Sequence, residues 1–111
     1  MAFAIRAEPA GPAVVLAVEG DVDIATAPAL REALAEVLGT HKGVVVDLAA
    51  VPFMDSTGLG VLVAARNRAA AAGCAFVLAR PQRIVRKALR LVQVDTVVDV
   101  HESLDAALAA I

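Results

Sequence analysis

The sequence predicts an α/β protein in which a mixed β-sheet of about five strands packs with about four helices, in the order ββαβαβαβα. Two observations lead to this prediction. Short apolar runs of strand length alternate along the chain with segments whose apolar residues recur at helical spacing. The first two strand-like runs are separated only by a turn that contains proline and glycine, which is typical of a hairpin. Since a hairpin is antiparallel and strand–helix–strand units are parallel, the sheet is expected to be mixed.

The predicted strands are short apolar runs bounded by turn residues. They cover residues 3–8, 13–19, 43–48, 74–79 and 96–100, and the first turn covers residues 9–12. The third run, from Gly43 to Leu48, is rich in β-branched residues, which is typical of a strand covered on both faces. We therefore expect this strand in the middle of the sheet.

The predicted helices begin at residues that favour a helix N-terminus. They cover residues 26–38, 56–72, 81–92 and 103–111. In the first helix Thr26 supplies a capping hydroxyl, Pro28 suits the first turn, and Gly39 ends the helix in the C′ position. Pro81 opens the third helix and Ser103 caps the fourth.

Length and composition limit the function classes. The 111 residues suffice for one hydrophobic core, so we expect a single domain over residues 1–111. A formal net charge of −2 and the absence of Trp and Tyr argue against nucleic-acid binding. No apolar stretch approaches the roughly 20 residues of a membrane helix, and the first residues are unlike a signal peptide. We expect a cytoplasmic protein that does not contact a membrane.

The residues that most often bind metals or cofactors are few. Cys74 precedes an apolar run and is expected to be a buried small side chain. His41 and His101 are interpreted as loop residues, and neither has a neighbouring His or Cys at ligand spacing. Gly58 and Gly60 form neither a dinucleotide fingerprint nor a phosphate-binding loop. We expect no metal and no cofactor.

The segment FMDSTGLGVLV, residues 53–63, carries the most informative pattern. Ser56 lies where an apolar strand gives way to a helix, and a helix N-terminus accepts a capping oxygen or a phosphate readily. One arc of this helix contains Ser56, Gly60 and Val63, with Leu59 on its flank, and is too apolar for a face without a partner. Alternatively, Gly58 and Gly60 only allow close packing of helix on strand, and both interpretations remain open.

Four carboxylates are expected near one sheet edge beside Ser56: Asp21, Asp23, Asp47 and Asp55. For Asp47 and Asp55 a role in capping or turn formation is an equal alternative. Asp23 precedes the predicted helix cap, so its carboxylate is expected to be free for a partner.

Two further functional interpretations are not favoured. An enzyme with Ser56 as its nucleophile would need a nearby base and the G-x-S-x-G elbow, and the sequence has neither, so we expect no autonomous catalysis. A basic stripe of the third helix is expected to be a solvated face, while the complementary apolar positions bury the helix. The stripe comprises Arg83, Arg86, Lys87 and Arg90, and the apolar positions are Ile84, Ala88, Leu89 and Leu91.

Three segments resemble the STAS domain of bacterial anti-sigma factor antagonists: GDVDIATAPALREAL (20–34), VVVDLAAVPFMDSTGLGVLV (44–63) and SLDAAL (103–108). The resemblance covers essentially the whole chain and is most specific at D-S-T-G-L-G. It implies the STAS fold and a partner switch. The unphosphorylated protein would bind an anti-sigma factor that is also a serine kinase, freeing its sigma factor. Phosphorylation on Ser56 would end binding until a metal-dependent phosphatase restores the hydroxyl.

The resemblance also implies a docking surface around Ser56. Its residues would be Asp21, Asp23, Thr26, Asp55, Thr57, Gly58, Leu59, Gly60 and Val63. Phosphorylation at Thr57 is an alternative to Ser56, and the free protein is expected to be a monomer. STAS domains also serve as subunits of lipid-transport complexes, and that function remains an alternative.

Overall fold

The computed structural model describes residues 2–111 and has the predicted order of elements. The strands are β1 (Ala4–Ala10), β2 (Ala13–Glu19), β3 (Gly43–Ala50), β4 (Ala75–Ala79) and β5 (Asp99–His101). The helices are α1 (Ala27–Leu38), α2 (Ser56–Ala71), α3 (Arg83–Leu91) and α4 (Leu104–Ala109), and a 3₁₀ turn covers Val94–Thr96. The predicted α/β class and the order ββαβαβαβα are confirmed.

The strands form one mixed sheet in the order β1-β2-β3-β4-β5. β1 is antiparallel to β2, and the other neighbouring pairs are parallel. β3 is therefore the central strand, as predicted, and residues 43–48 within it are all buried. β1 extends two residues beyond the prediction and includes Pro9, which an edge strand tolerates because one side of its backbone has no partner strand.

The two faces of the sheet are covered differently. Val44, Val46 and Leu48 of β3 lie in the main core with residues of α1, α2 and α3. Val45 belongs to a smaller cluster on the other face, which α4 covers through Ala107. The sheet therefore has three helices on one face and one short helix on the other, and Ser56 lies on the three-helix side.

The fifth strand begins later than predicted, so the range 96–100 was wrong. The amides of Val97 and Val98 both donate to the carbonyl of Val94, which closes a 3₁₀ turn where the strand was expected. Gln93 enters this turn with a left-handed φ of 60°. His101, expected in a loop, is the last residue of β5.

The helix ends follow the predictions in part. The Ser103 hydroxyl accepts a hydrogen bond from the amide of Ala106 at 3.0 Å, which confirms it as the cap of α4. Thr26 is the N-cap residue of α1, as predicted, but its hydroxyl makes no capping hydrogen bond to the helix. Gly39 is the C-cap with φ −95°, so this helix end requires no left-handed residue. Pro81 lies two residues before α3, and Gln82 is the N-cap.

Among residues 2–111, no helix is both long enough and apolar enough to cross a membrane.

Candidate functional site

Two loops meet at the N-terminus of α2 and hold it in place. Val22, after β2, forms a parallel bridge with Met54, just before α2. The amide of Val22 donates to the carbonyl of Phe53 at 2.9 Å, and the amide of Asp55 donates to the carbonyl of Val22 at 3.1 Å. The loop before α1 therefore lies directly beside the residue that precedes Ser56.

Asp55, rather than Ser56, caps α2. Its Oδ1 accepts hydrogen bonds from the amides of Thr57 at 2.9 Å and Gly58 at 3.1 Å. A carboxylate at this position also interacts favourably with the positive end of the helix dipole. The sequence left open whether Asp55 has a capping role, and in the structure it has one. Two backbone amides that were expected to be available to an incoming anion are therefore already occupied.

Ser56 is the first residue of α2 and its side chain is exposed. Within residues 2–111 its hydroxyl makes no hydrogen bond, since the neighbouring carboxylate supplies the cap. Thr57 beside it is half-buried. The structure thus presents an exposed hydroxyl at a helix start that the neighbouring carboxylate caps.

The loop before α1 is held by its own side chains. Oδ1 of Asp23 accepts hydrogen bonds from the amides of Ala25 at 3.0 Å and Thr26 at 3.1 Å. The Thr26 hydroxyl accepts from the amide of Asp23 at 3.0 Å and donates to the carbonyl of Asp21 at 2.8 Å. The expectation that the Asp23 carboxylate is free was therefore wrong for Oδ1, which closes the loop, whereas Oδ2 accepts no hydrogen bond within residues 2–111. Asp21 is exposed, as a contact residue would be.

Asp47 does not join the carboxylates beside Ser56. It lies on the α4 side of the sheet, is 7% exposed, and pairs with Arg80. Two parallel hydrogen bonds join them, Nε to Oδ1 at 3.1 Å and Nη2 to Oδ2 at 2.6 Å. The hydrogen bond to Asp47 raises the pKa of Arg80 above its usual range, although burial opposes this. Sequence reasoning missed this pair. A signal was present, because Arg80 directly follows β4 and Asp47 lies inside the neighbouring strand β3.

The glycines of α2 have different roles. A Cβ on Gly58 would lie 2.7 Å from both Met54 Cγ and Val22 Cγ1, so this glycine is required for close packing. A Cβ on Gly60 would meet nothing within 4 Å. Close approach therefore explains Gly58, whereas Gly60 leaves an open surface.

An apolar groove of about 430 Å³ runs along α2 from Ser56. Its walls are the predicted arc of α2 and, across from it, the residues after α3. The lining residues are Ser56, Leu59, Gly60, Val63, Ala64, Asn67, Val92 and Val94. Sequence reasoning identified the α2 side but missed Val92 and Val94, since no local pattern shows which segment packs beside a helix.

Two exposed apolar side chains lie in the loops around Ser56. Ile24 is 78% exposed and Phe53 is 44% exposed. Neither was singled out from the sequence, because each is an isolated apolar residue in a loop. Side chains of this size in solvent next to an apolar groove are typical of a protein contact surface.

Cys74 is buried, as predicted, and burial raises the pKa of its thiol. A raised pKa keeps the thiol protonated and unreactive at neutral pH.

The predicted packing of α3 was wrong in part. Val85 and Leu89 bury the helix, whereas Ile84 and Leu91 are exposed. Arg86, assigned to the solvated stripe, is largely covered and pairs with Glu102 at 2.5 Å. The remaining basic side chains, Arg83, Lys87 and Arg90, are exposed as expected. Of the apolar positions expected to bury this helix, Leu89 does so, and Val85 takes the place expected for Ile84 and Leu91.

The mixed sheet with three helices on one face, and an exposed serine at the start of α2, define a STAS domain. The STAS domain model matches residues 4–107, and the chain belongs to the STAS-domain family of anti-sigma factor antagonists.

Characterised relatives and solved structures agree with this assignment. The chain is 33% identical over 98 residues to the anti-sigma-F factor antagonist RsfB of Mycobacterium tuberculosis, covering 87% of this chain and 80% of the relative. It is 52% identical over 50 residues to an anti-sigma-B factor antagonist of Listeria monocytogenes, 43% of each chain. The crystal structure of an anti-sigma factor antagonist from Mycobacterium paratuberculosis superposes with a TM-score of 0.91 at 29% identity, covering 98% of this chain and 93% of that chain.

Proposed function

We propose that this protein is an anti-sigma factor antagonist whose binding to an anti-sigma factor is switched off by phosphorylation of Ser56. The partner is an anti-sigma factor with serine kinase activity, and a metal-dependent phosphatase resets the switch. The protein itself performs no chemistry and needs no cofactor. The observation that supports this proposal most directly is the exposed Ser56 hydroxyl, which makes no hydrogen bond within residues 2–111 and lies at the rim of an apolar groove.

The geometry is suited to modification without loss of the fold. Asp55 caps α2 through Thr57 and Gly58, so the helix does not depend on the Ser56 hydroxyl. A kinase can therefore modify this oxygen without removing a structural hydrogen bond. The free phosphorylated domain is expected to remain folded, and the effect of the phosphate is expected at the contact surface.

A phosphate at this position opposes docking for two reasons. It adds about −1.5 to −2 charges at neutral pH, next to the carboxylate of Asp55. At an effective dielectric constant of about 20, any acidic group of the partner that approaches the phosphate to about 5 Å would add roughly 3 kcal/mol of repulsion per unit charge. A partner that fills the apolar groove must also strip water from the dianion, which is unfavourable without a compensating cation.

The proposed docking surface consists of the groove and the two loops beside it. Leu59, Gly60 and Val63 contribute the apolar part, and Asp21 contributes an exposed charge. Four of the remaining residues act mainly through the shape of the surface. Asp23 and Thr26 hold the loop, Asp55 caps the helix, and Gly58 allows its close packing, while Thr57 flanks the serine.

The direct test is phosphorylation followed by a binding measurement. The purified protein is incubated with ATP and candidate anti-sigma factor kinases, and the modified residue is mapped by mass spectrometry. We expect one phosphate on Ser56 and none on Ser103, the only other serine of the chain. Calorimetry with the same anti-sigma factor should then show binding of the unmodified protein and at least about hundredfold weaker binding of the phosphorylated protein.

Two variants distinguish an error in the position of the phosphate from an error in the proposed switch. Ser56→Ala should bind the anti-sigma factor and accept no phosphate, whereas Thr57→Ala should still be modified. A phosphate on Thr57 in the wild-type protein would move the site by one residue. Equal affinity of the modified and unmodified protein would refute the switch. Isolation of an ATPase–permease complex as the specific partner would instead favour the lipid-transport alternative.

A further inference from the structure

We propose that the outward face of α3 is a second contact surface for the same partner, and that it binds an acidic region carrying apolar side chains. This face consists of the basic Arg83, Lys87 and Arg90 with the apolar Ile84 and Leu91 beside them. The inference rests on the proposed function, because the occupant is the anti-sigma factor that docks at Ser56.

The apolar part of this face is unusually open to solvent. Ile84 is 58% exposed and Leu91 is 74% exposed, while the buried Val85 and Leu89, with the partly buried Ala88, anchor the helix in the core. At 3.6 residues per turn, Ile84 and Leu91 lie within about 60° of Lys87 on the outer surface of the helix. Neither side chain is needed to hold α3 in place, so their exposure is consistent with a contact made to another molecule.

The basic part of the face has no partner within residues 2–111. Arg86 pairs with Glu102, whereas Arg83, Lys87 and Arg90 form no ion pair in the part of the chain that the structure describes. Each of these three side chains is exposed on a protein whose formal net charge is −2. An acidic surface of a partner would complement this stripe.

The α3 face is continuous with the groove at Ser56. Leu91 directly precedes Val92, which is 55% exposed and lines the groove. A partner that covers the groove and contacts Val92 would therefore also reach the exposed side chain of Leu91, the residue before it.

A lipid surface fits this face less well than an acidic protein does. The face offers two large apolar side chains and no aromatic ring, whereas helices that lie on membranes present a broad apolar face with aromatic anchors. Anionic vesicles are therefore included in the test as a competing occupant.

The test compares two charge reversals that change the net charge equally. Lys87→Glu alters the α3 face, and Arg31→Glu alters an exposed position of α1 outside the proposed surface. Association with the purified anti-sigma factor is measured by surface plasmon resonance at low and high salt. We expect Lys87→Glu to lower the association rate constant about tenfold at low salt, and the difference to shrink at about 0.5 M salt. Arg31→Glu should stay within about twofold of wild type.

Leu91→Ala tests the apolar part without disturbing the core. We expect the dissociation rate constant to rise about fivefold, with an unchanged melting temperature, because Leu91 is mostly exposed. If wild type binds the anti-sigma factor but Lys87→Glu and Leu91→Ala behave like Arg31→Glu, the α3 inference is wrong while the proposed function stands. If wild type does not bind any anti-sigma factor, both are wrong.

Two further outcomes would assign the face to another occupant and overturn the inference. One is binding to phosphatidylglycerol vesicles that is lost in Lys87→Glu, together with unchanged affinity for the anti-sigma factor. The other is a dimer of the wild-type protein, detected by analytical ultracentrifugation, that Leu91→Ala converts to a monomer.

Discussion

Ser56 at the start of α2 and Ser103 at the start of α4 are the two serines of the chain, and their hydroxyls have different surroundings. The Ser103 hydroxyl is itself the cap and accepts a hydrogen bond from Ala106. At α2 the carboxylate of Asp55 performs that role, one residue earlier, and leaves the Ser56 hydroxyl unbonded within residues 2–111. A hydroxyl one residue after the N-cap is thus left exposed and unbonded, whereas a hydroxyl at the N-cap position holds the helix end.

Replacing each serine by aspartate should give the largest contrast. Ser56→Asp places a second carboxylate beside Asp55 at the rim of the groove, where a docking partner must remove its water, and we expect at least about hundredfold weaker binding of the anti-sigma factor, which corresponds to roughly 3 kcal/mol. Ser103→Asp keeps a good N-cap, so affinity should stay within about twofold of wild type. Calorimetry on both variants measures the contrast, and equal losses of affinity would show that general charge, rather than position, is responsible.

The first turn of α2 also differs from an ordinary helix start in how tightly it packs. Gly58→Ala would bring a Cβ to 2.7 Å from Met54 and Val22, so we expect the free energy of unfolding to fall by about 1–3 kcal/mol. Gly60→Ala meets open space and removes a poor helix former, so it should raise the free energy of unfolding by about 0.5–1 kcal/mol. Urea denaturation followed by circular dichroism distinguishes them. Similar destabilisation by both would show that the α2 turn adjusts as a unit.

Removing the two caps gives the smallest expected effects. Asp55→Ala leaves two amides without their partner and should lower the free energy of unfolding by about 1–2 kcal/mol. Ser103→Ala loses one hydrogen bond at a six-residue helix, and about 0.5–1 kcal/mol is expected. Thermal unfolding of both variants, with Ser56→Ala as the control expected to match wild type, tests the assignment. A loss in Ser56→Ala as large as in Asp55→Ala would mean that the hydroxyl is structural after all.

Periodicity and turn residues were sufficient for the architecture. The central position of β3 followed from its β-branched run, and the α2 arc from its spacing. These features depend on side chains close in sequence, which a pattern can show.

Details set by contacts distant in sequence were not predictable. The 3₁₀ turn displaced β5 because Val94 accepts two local hydrogen bonds where an extended segment was expected. Asp47 was expected beside Ser56 but pairs with Arg80, which lies 33 residues away in the sequence. The hydrogen bonds to Asp23 could not be predicted, because the backbone amides that donate them come within reach of its carboxylate only once the loop has its folded shape. The groove wall formed by Val92 and Val94 depends on where α3 ends relative to α2.

The bridge between Val22 and Met54 has a consequence for the speed of recognition. It joins the loop before α1 to the loop before α2 through backbone hydrogen bonds on both sides. Neither loop has to be ordered when a partner arrives, so little conformational entropy is lost on association. A preorganised surface of this kind supports fast association with a partner, since encounter complexes need no slow rearrangement before they become productive.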